Sequence, residues 1–169
     1  MHKLALVLTL AMTAGATGLA LGAEPSGHHD AMGMTMPMPA EHAAPMADTR
    51  ELVAYPEPLR VHTLANMRDH LATLGRIQEA LAHGAFDEAS RLAEQRLGMS
   101  SLAMHGAHEL ARYMPQGMQE AGTAMHRTAS QFALVAKDAS VTGDLKPVLA
   151  SLARLNQTCV ACHAAYRLH

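Results

Sequence analysis

From about residue 59 onward, apolar residues return every third or fourth position, the spacing that keeps them on one helix face. The first such run predicts a helix from Leu59 to His83, with Leu64, Met67, Leu71, Leu74, Ile77 and Leu81 on its stripe. Pro58 sits where a first turn tolerates it, and Gly84 ends the run. A second helix is predicted from Phe86 to Leu97, with Asp87 and Glu88 in the turn where acids are favoured and Gly98 beyond its end. Residues 99–113 form a longer connection with room for a short helical turn. A third helix runs from Pro115 to Ala139, its stripe made of Met118, Ala121, Met125, Ala129, Phe132 and Val135. The tetrad Val141-Thr142-Gly143-Asp144 reads as a turn that leaves Asp144 as N-cap, with Pro147 in the next first turn. The fourth helix carries Val148, Leu149, Leu152 and Leu155 and continues to the C-terminus. No run of alternating β-branched residues predicts a strand. Two short connections and one longer one suit an all-α, antiparallel four-helix bundle over residues 57–169.

The first third of the chain has a different texture. Residues 1–23 read as a secretory signal: Lys3 is the positive n-region, Leu4 to Met12 is nearly all apolar, and small residues follow to Ala23. The competing reading is an uncleaved anchor, against which stand the shortness of the stretch and its breaks at Thr9, Thr13, Gly15, Thr17 and Gly18. Residues 24–56 read as a disordered linker. They hold Pro25, Pro37, Pro39, Pro45 and Pro56 and no helical period, so they cannot offset the entropy of ordering.

Composition strengthens the helical reading. The chain has no Trp, 2 Phe and 3 Tyr, and it is rich in Ala, Leu and Met, which lose little rotamer freedom in a helix. The formal charge of −2 becomes one unit more negative when the segment holding Lys3 is removed, so no basic nucleic-acid surface is indicated. The charge is too small to identify a partner.

The chain has only two cysteines, in Cys159-Val160-Ala161-Cys162-His163, a CxxCH pentapeptide. On a helix, positions three and four apart share a face. Two thiols so spaced can form thioethers to two haem vinyl groups, and the adjacent imidazole can bind the iron; the pentapeptide is read as c-type haem attachment. A structural zinc site would want a second ligand pair, which the cysteines do not supply. A thioredoxin-like CxxC belongs at a helix start after a strand, and a plain disulfide remains a further reading. Export suits haem attachment outside the cytoplasm.

A CxxCH on the last helix of a four-helix chain resembles the class II c-type cytochromes, the cytochrome c-prime group. The matching stretch is TCVACHAAYR, Thr158 to Arg167, including an Arg four residues after the His. The resemblance implies one covalent haem c with His163 as axial ligand. It leaves open whether the iron is six-coordinate and transfers electrons or five-coordinate and binds nitric oxide or carbon monoxide. The segment Asn66-Met67-Arg68-Asp69-His70-Leu71 is similar to the first helix of the soluble periplasmic b-type four-helix cytochromes, in which a Met after Asn binds iron. Those lack the two Cys, so that likeness concerns axial ligands only. It makes Met67 the candidate sixth ligand, against a plain core Met; a thioether would favour ferrous iron. His70 is a second candidate, with a surface position expected for it, and His62 is expected to be exposed. Arg167 can pair with a haem propionate or stand as a solvated cation favoured by the helix end.

Two further clusters stand out. His28, His29, Met32, Met34, Met36, Met38 and His42 make an exported Met/His tract of the kind that binds copper, against a flexible tether of biased composition. Met99, Met104, His105, His108 and Met114 fall in the longer connection, where helical spacing would bring His105 and His108 together as a candidate second metal site, against the structural or exposed role usual for loop histidines. No catalytic triad, phosphate loop or paired carboxylates appear, so an enzyme is not expected. The sequence therefore points to a periplasmic electron carrier with an unidentified redox partner. The group's habit of pairing as homodimers is neither demanded nor opposed by any feature here.

Overall fold

The structure, a computed structural model, describes residues 47–168; the signal-like segment and the Met/His tract of residues 27–46 lie outside them. The described chain is mostly helical. Helix α1 spans Glu57–Ala82, with Pro56 before it and Pro58 in its first turn, where a missing N–H removes no helical bond. Gly84, in the left-handed region at φ 67°, turns the chain into α2, Phe86–Arg96. The connection contains a 3-10 turn at Met99–Ser101, a four-residue helix α3 at Ala107–Leu110 and a second 3-10 turn at Ala111–Tyr113. Helix α4 runs over Gln116–Thr142 and helix α5 over Leu145–Ala165. The expected turn at 141–144 is tighter than the pattern suggests: Val141 and Thr142 stay helical, and Gly143 alone makes the reversal at φ 71°. Asp144 caps α5 as expected, its carboxylate accepting from the Lys146 N–H at 3.0 Å.

Helix α2 packs against both α1 and α4, and α4 packs against α5. The shared core consists of Ile77 and Leu81 from α1, Leu92 and Leu97 from α2 and its end, Phe132 from α4, and Val148, Leu152 and Leu155 from α5. Small residues let α4 approach its neighbours closely: Ala129, Ala133, Ala136 and Ala139 are all buried. Each large apolar side chain here contributes roughly 1.5–3 kcal/mol by leaving water. Ser90 Oγ donates to the Ala133 carbonyl at 2.8 Å and Lys137 pairs with Asp87 at 2.8 Å, fixing α2 along α4.

Three expectations fail in this frame. Helix α5 does not reach the C-terminus. It stops at Ala165, and Tyr166–Arg167 pairs in parallel with Glu51–Leu52 as two short strands, β2 and β1. No local pattern announces strands of two residues. Nor is the linker featureless up to residue 56: Val53 and Tyr55 are 2% and 6% exposed and form a second small core with Leu110. The Val53 N–H donates to the Arg167 carbonyl at 2.9 Å, extending the strand pairing by one bond. Finally, Leu71 and Leu149 are exposed although both lie on apolar stripes.

No helix among the described residues is long and apolar enough to cross a membrane.

Candidate functional site

A cavity of about 900 Å³ opens between α1, the connection, α4 and α5. That volume is in the range of pockets that enclose a whole organic ligand. Its walls explain the split behaviour of the α1 stripe. Ile77 and Leu81 join the core, whereas Leu64, Met67, Leu71 and Leu74 line the cavity. Leu71 is 72% exposed there, a large apolar side chain that no protein neighbour covers. Met114, Met118 and Met125 line the cavity from the connection and α4.

Cys159, Cys162 and His163 line the same cavity from α5, so the pentapeptide and Met67 share one space. Both cysteines are free and half-buried. Burial pushes both thiols above the ordinary cysteine value, so each stays protonated at neutral pH. His163 is exposed while lining the cavity, and its backbone carbonyl accepts from the Arg50 guanidinium at 3.4 Å. Tyr55, near Cys162, has its phenol pushed up to about 12 by burial.

Arg167 lines the cavity together with Arg50, a residue that the sequence reading left inside the linker. The two share a carboxylate: Asp48 lies 2.8 Å from Arg50 and 3.5 Å from the Arg167 Nε. The Arg50 hydrogen bonds hold the Asp48 carboxyl at about 2, below the ordinary range. This places two guanidinium groups on the wall, with Asp48 paired to both, an arrangement suited to anionic groups of a guest.

The histidines differ most from expectation. His70 is buried rather than on the surface, because Thr63, His70, Thr73, Ile77 and Ala80 form the face of α1 that meets the rest of the chain. His62 is half-buried; its Nε2 lies 3.2 Å from the His105 carbonyl, which also accepts from Asn66 Nδ2 at 3.1 Å. His105 does not pair with His108, which is exposed. It packs instead between His70 and His126, a histidine of α4 that the sequence reading passed over. Its signal was its place beside Met125 on the buried face of α4. The Nε2 atoms of His70 and His105 are enclosed with no hydrogen-bond partner. Each such orphan costs roughly 1–3 kcal/mol. Among the described residues no group of three or more His, Cys, Asp or Glu side chains is placed so that it could hold a metal ion as it stands.

For a haem, the residues present fit. The cavity is large and its wall carries five Leu and four Met side chains; two thiols and an imidazole stand in CxxCH order, a thioether stands on α1, and two cations are available to carboxylates. No family model, curated protein or solved structure matches the chain.

Proposed function

We propose that this chain is an exported c-type cytochrome of the class II kind. In this reading α1, α2, α4 and α5 make an antiparallel four-helix bundle. Haem c would be held through thioethers to Cys159 and Cys162, with His163 and Met67 as the residues offered to its iron, and the protein would carry electrons to an unidentified partner in the bacterial periplasm. The observation that supports it most is the cavity. Four of the six residues of the α1 stripe are turned into a space that the side chains of the described residues leave open, and both cysteines and the histidine of the CxxCH line that space. An apolar wall of this extent calls for an apolar guest.

When bound, haem c supplies a one-electron ferric/ferrous couple. The chain's residues divide the remaining work. Cys159 and Cys162, one helical turn apart on α5, fix the guest's edge and thereby its orientation. His163 offers an imidazole beside them, and Met67 offers a soft thioether that favours the ferrous state. Leu64, Leu71, Leu74 and Met125 would keep water from the iron and so raise its potential. Arg50 and Arg167 would be available to pair with the propionates. The Met/His tract keeps its copper reading from composition alone.

Visible spectra of the isolated holoprotein, ferric and ferrous, test the ligand pair. The expected wild-type ferric spectrum is low-spin with a Met-to-iron charge-transfer band, and Met67→Ala removes that band. A high-spin wild type, or a low-spin spectrum unchanged by Met67→Ala, overturns Met67 as ligand. Haem that stays on the chain through denaturation in C159S/C162S would overturn the attachment.

A further inference from the structure

Three buried histidines from three segments meet at the cavity wall: His70 on α1, His105 in the connection and His126 on α4. They are 8%, 5% and 7% exposed. Their ring centres lie 4.6 Å apart for His70 and His105, 5.4 Å for His105 and His126, and 6.1 Å for His70 and His126.

The hydrogen bonds determine which ring nitrogens carry protons. His126 Nδ1 lies 2.7 Å from the Leu97 carbonyl, which can only accept, so Nδ1 is the donor. Ser101 Oγ gives its single proton to the Gly98 carbonyl at 2.7 Å. At 3.3 Å from His105 Nδ1 it can therefore only accept, and His105 also carries its proton on Nδ1. A neutral imidazole has one N–H, so both Nε2 atoms are bare lone pairs. The His105 Nε2 and the His70 Nε2 are enclosed and meet no donor. Burial and mutual repulsion hold His70 and His105 down to about 4, so these rings are neutral at physiological pH. Desolvation lowers His126 as well.

We propose that His70, His105 and His126 together bind one zinc or copper ion through their Nε2 atoms. Imidazole suits both metals. Tying the far ring nitrogen to a backbone carbonyl or a hydroxyl is how metal-ligating histidines are oriented, and Leu97 and Ser101 do this for two of the three. Imidazoles bound at about 2.0–2.1 Å with tetrahedral angles put their ring centres about 5 Å apart. The observed separations lie on both sides of that value. His105 and His126 are tilted by only 32°, while His70 stands at 70° and 87° to them; as the rings stand they do not form a group that holds a metal, and binding requires them to turn toward one point. The ring torsion of His is broad and permits it. The nearby carboxylate does not compete, because Asp69 is paired with Arg96 at 2.6 Å. Since the three rings line the cavity, an ion can reach them from it. The site rests on the imidazole network and not on whatever else the cavity holds.

Zn²⁺ titration of the full chain, stripped with chelator and followed by calorimetry, tests the site beside His105→Gln, His126→Gln and the control His108→Gln. Histidines of the Met/His tract are common to all four proteins and cancel in the comparison. The wild type and H108Q should bind one equivalent more than H105Q or H126Q, and Co²⁺ should give tetrahedral d–d bands that those two variants lack. Equal stoichiometry and equal Co²⁺ spectra across the set would overturn the site. Should circular dichroism show that H105Q and H126Q do not fold, the ring signals of the wild type decide. Zn²⁺-induced shifts of His70, His105 and His126 support the site, and unshifted rings overturn it.

Discussion

Lowering the pH from 7 to 4 should strip this fold of much of its stability, mainly through two rings. His70 and His105 are held down to about 4, against 6.5 when exposed, first because burial disfavours their charged forms. His126, Arg96, His62 and His163 push the same way, and Asp69 opposes them. The unfolded chain therefore takes up protons that the folded chain refuses. Stability is fully present above 6.5 and is lost as the pH falls toward 4. The gap between 6.5 and about 4, at 1.36 kcal/mol per pH unit, comes to roughly 3 kcal/mol for each ring. Two rings together rival a typical domain's total of about 5–15 kcal/mol. Carboxylates cannot produce this slope. Asp48, Asp87 and Glu94 are all lowered in the fold, so their contributions disappear only below the ordinary carboxylate range. The assay is urea unfolding at half-unit steps from pH 7 to 4.5 with chelator present, for the wild type and for H70Q/H105Q. The wild-type free energy should fall by several kcal/mol over that window, and the double variant should be nearly flat. A wild type whose stability stays level down to pH 5 would refute the reasoning.

Two further outcomes concern the frame. Phe132→Ala removes a fully buried ring at the centre of the core and should cost about 4 kcal/mol in denaturant unfolding; a loss under 1 kcal/mol would mean that the core is not packed as described. Asp144→Ala removes the carboxylate that accepts from the Lys146 N–H, and calorimetry should show a loss of about 1 kcal/mol, with Asp144→Asn restoring most of it.

The helices were legible because their signals are local. Periodicity, Gly84, Gly98 and Asp144 place the ends of α1, α2 and α5 within a few residues. The strand pair was not legible: Glu51 and Tyr166 are neighbours only through the fold, and two residues carry no period. The candidate site was half legible. Cys159, Cys162, His163 and Met67 are marked by spacing and by the apolar stripe, and they do line one cavity. Arg50 was hidden because the stretch around it reads as linker, and its position follows from Val53 and Tyr55 packing beneath it in the chain. His126 was hidden, and His70 and His105 were named but misplaced, for a different reason. Polar residues on a helix are read as its wet face, and here Thr63, His70 and Thr73 form the dry one.

That reversal links the two ligand readings. Along the first half of α1 the buried residues, Thr63 and His70, are polar while Leu71 is bare, and all three line the cavity with Leu64 and Met67. A helix built for protein packing alone would be turned the other way, since burying His70 leaves an unpaired nitrogen and leaving Leu71 bare forfeits its hydrophobic gain. Both costs vanish when guests are present: an apolar macrocycle covers the leucine and methionine wall, and an electrophilic ion takes the imidazole lone pairs. The two guests ask for different chemistry from different residues of one cavity wall, so one can be lost without the other. Met67→Ala should alter the iron spectrum and spare the extra zinc equivalent, while His126→Gln should remove that equivalent and leave the charge-transfer band in place. A single substitution that abolished both in a folded protein would show that the two residue sets serve one site.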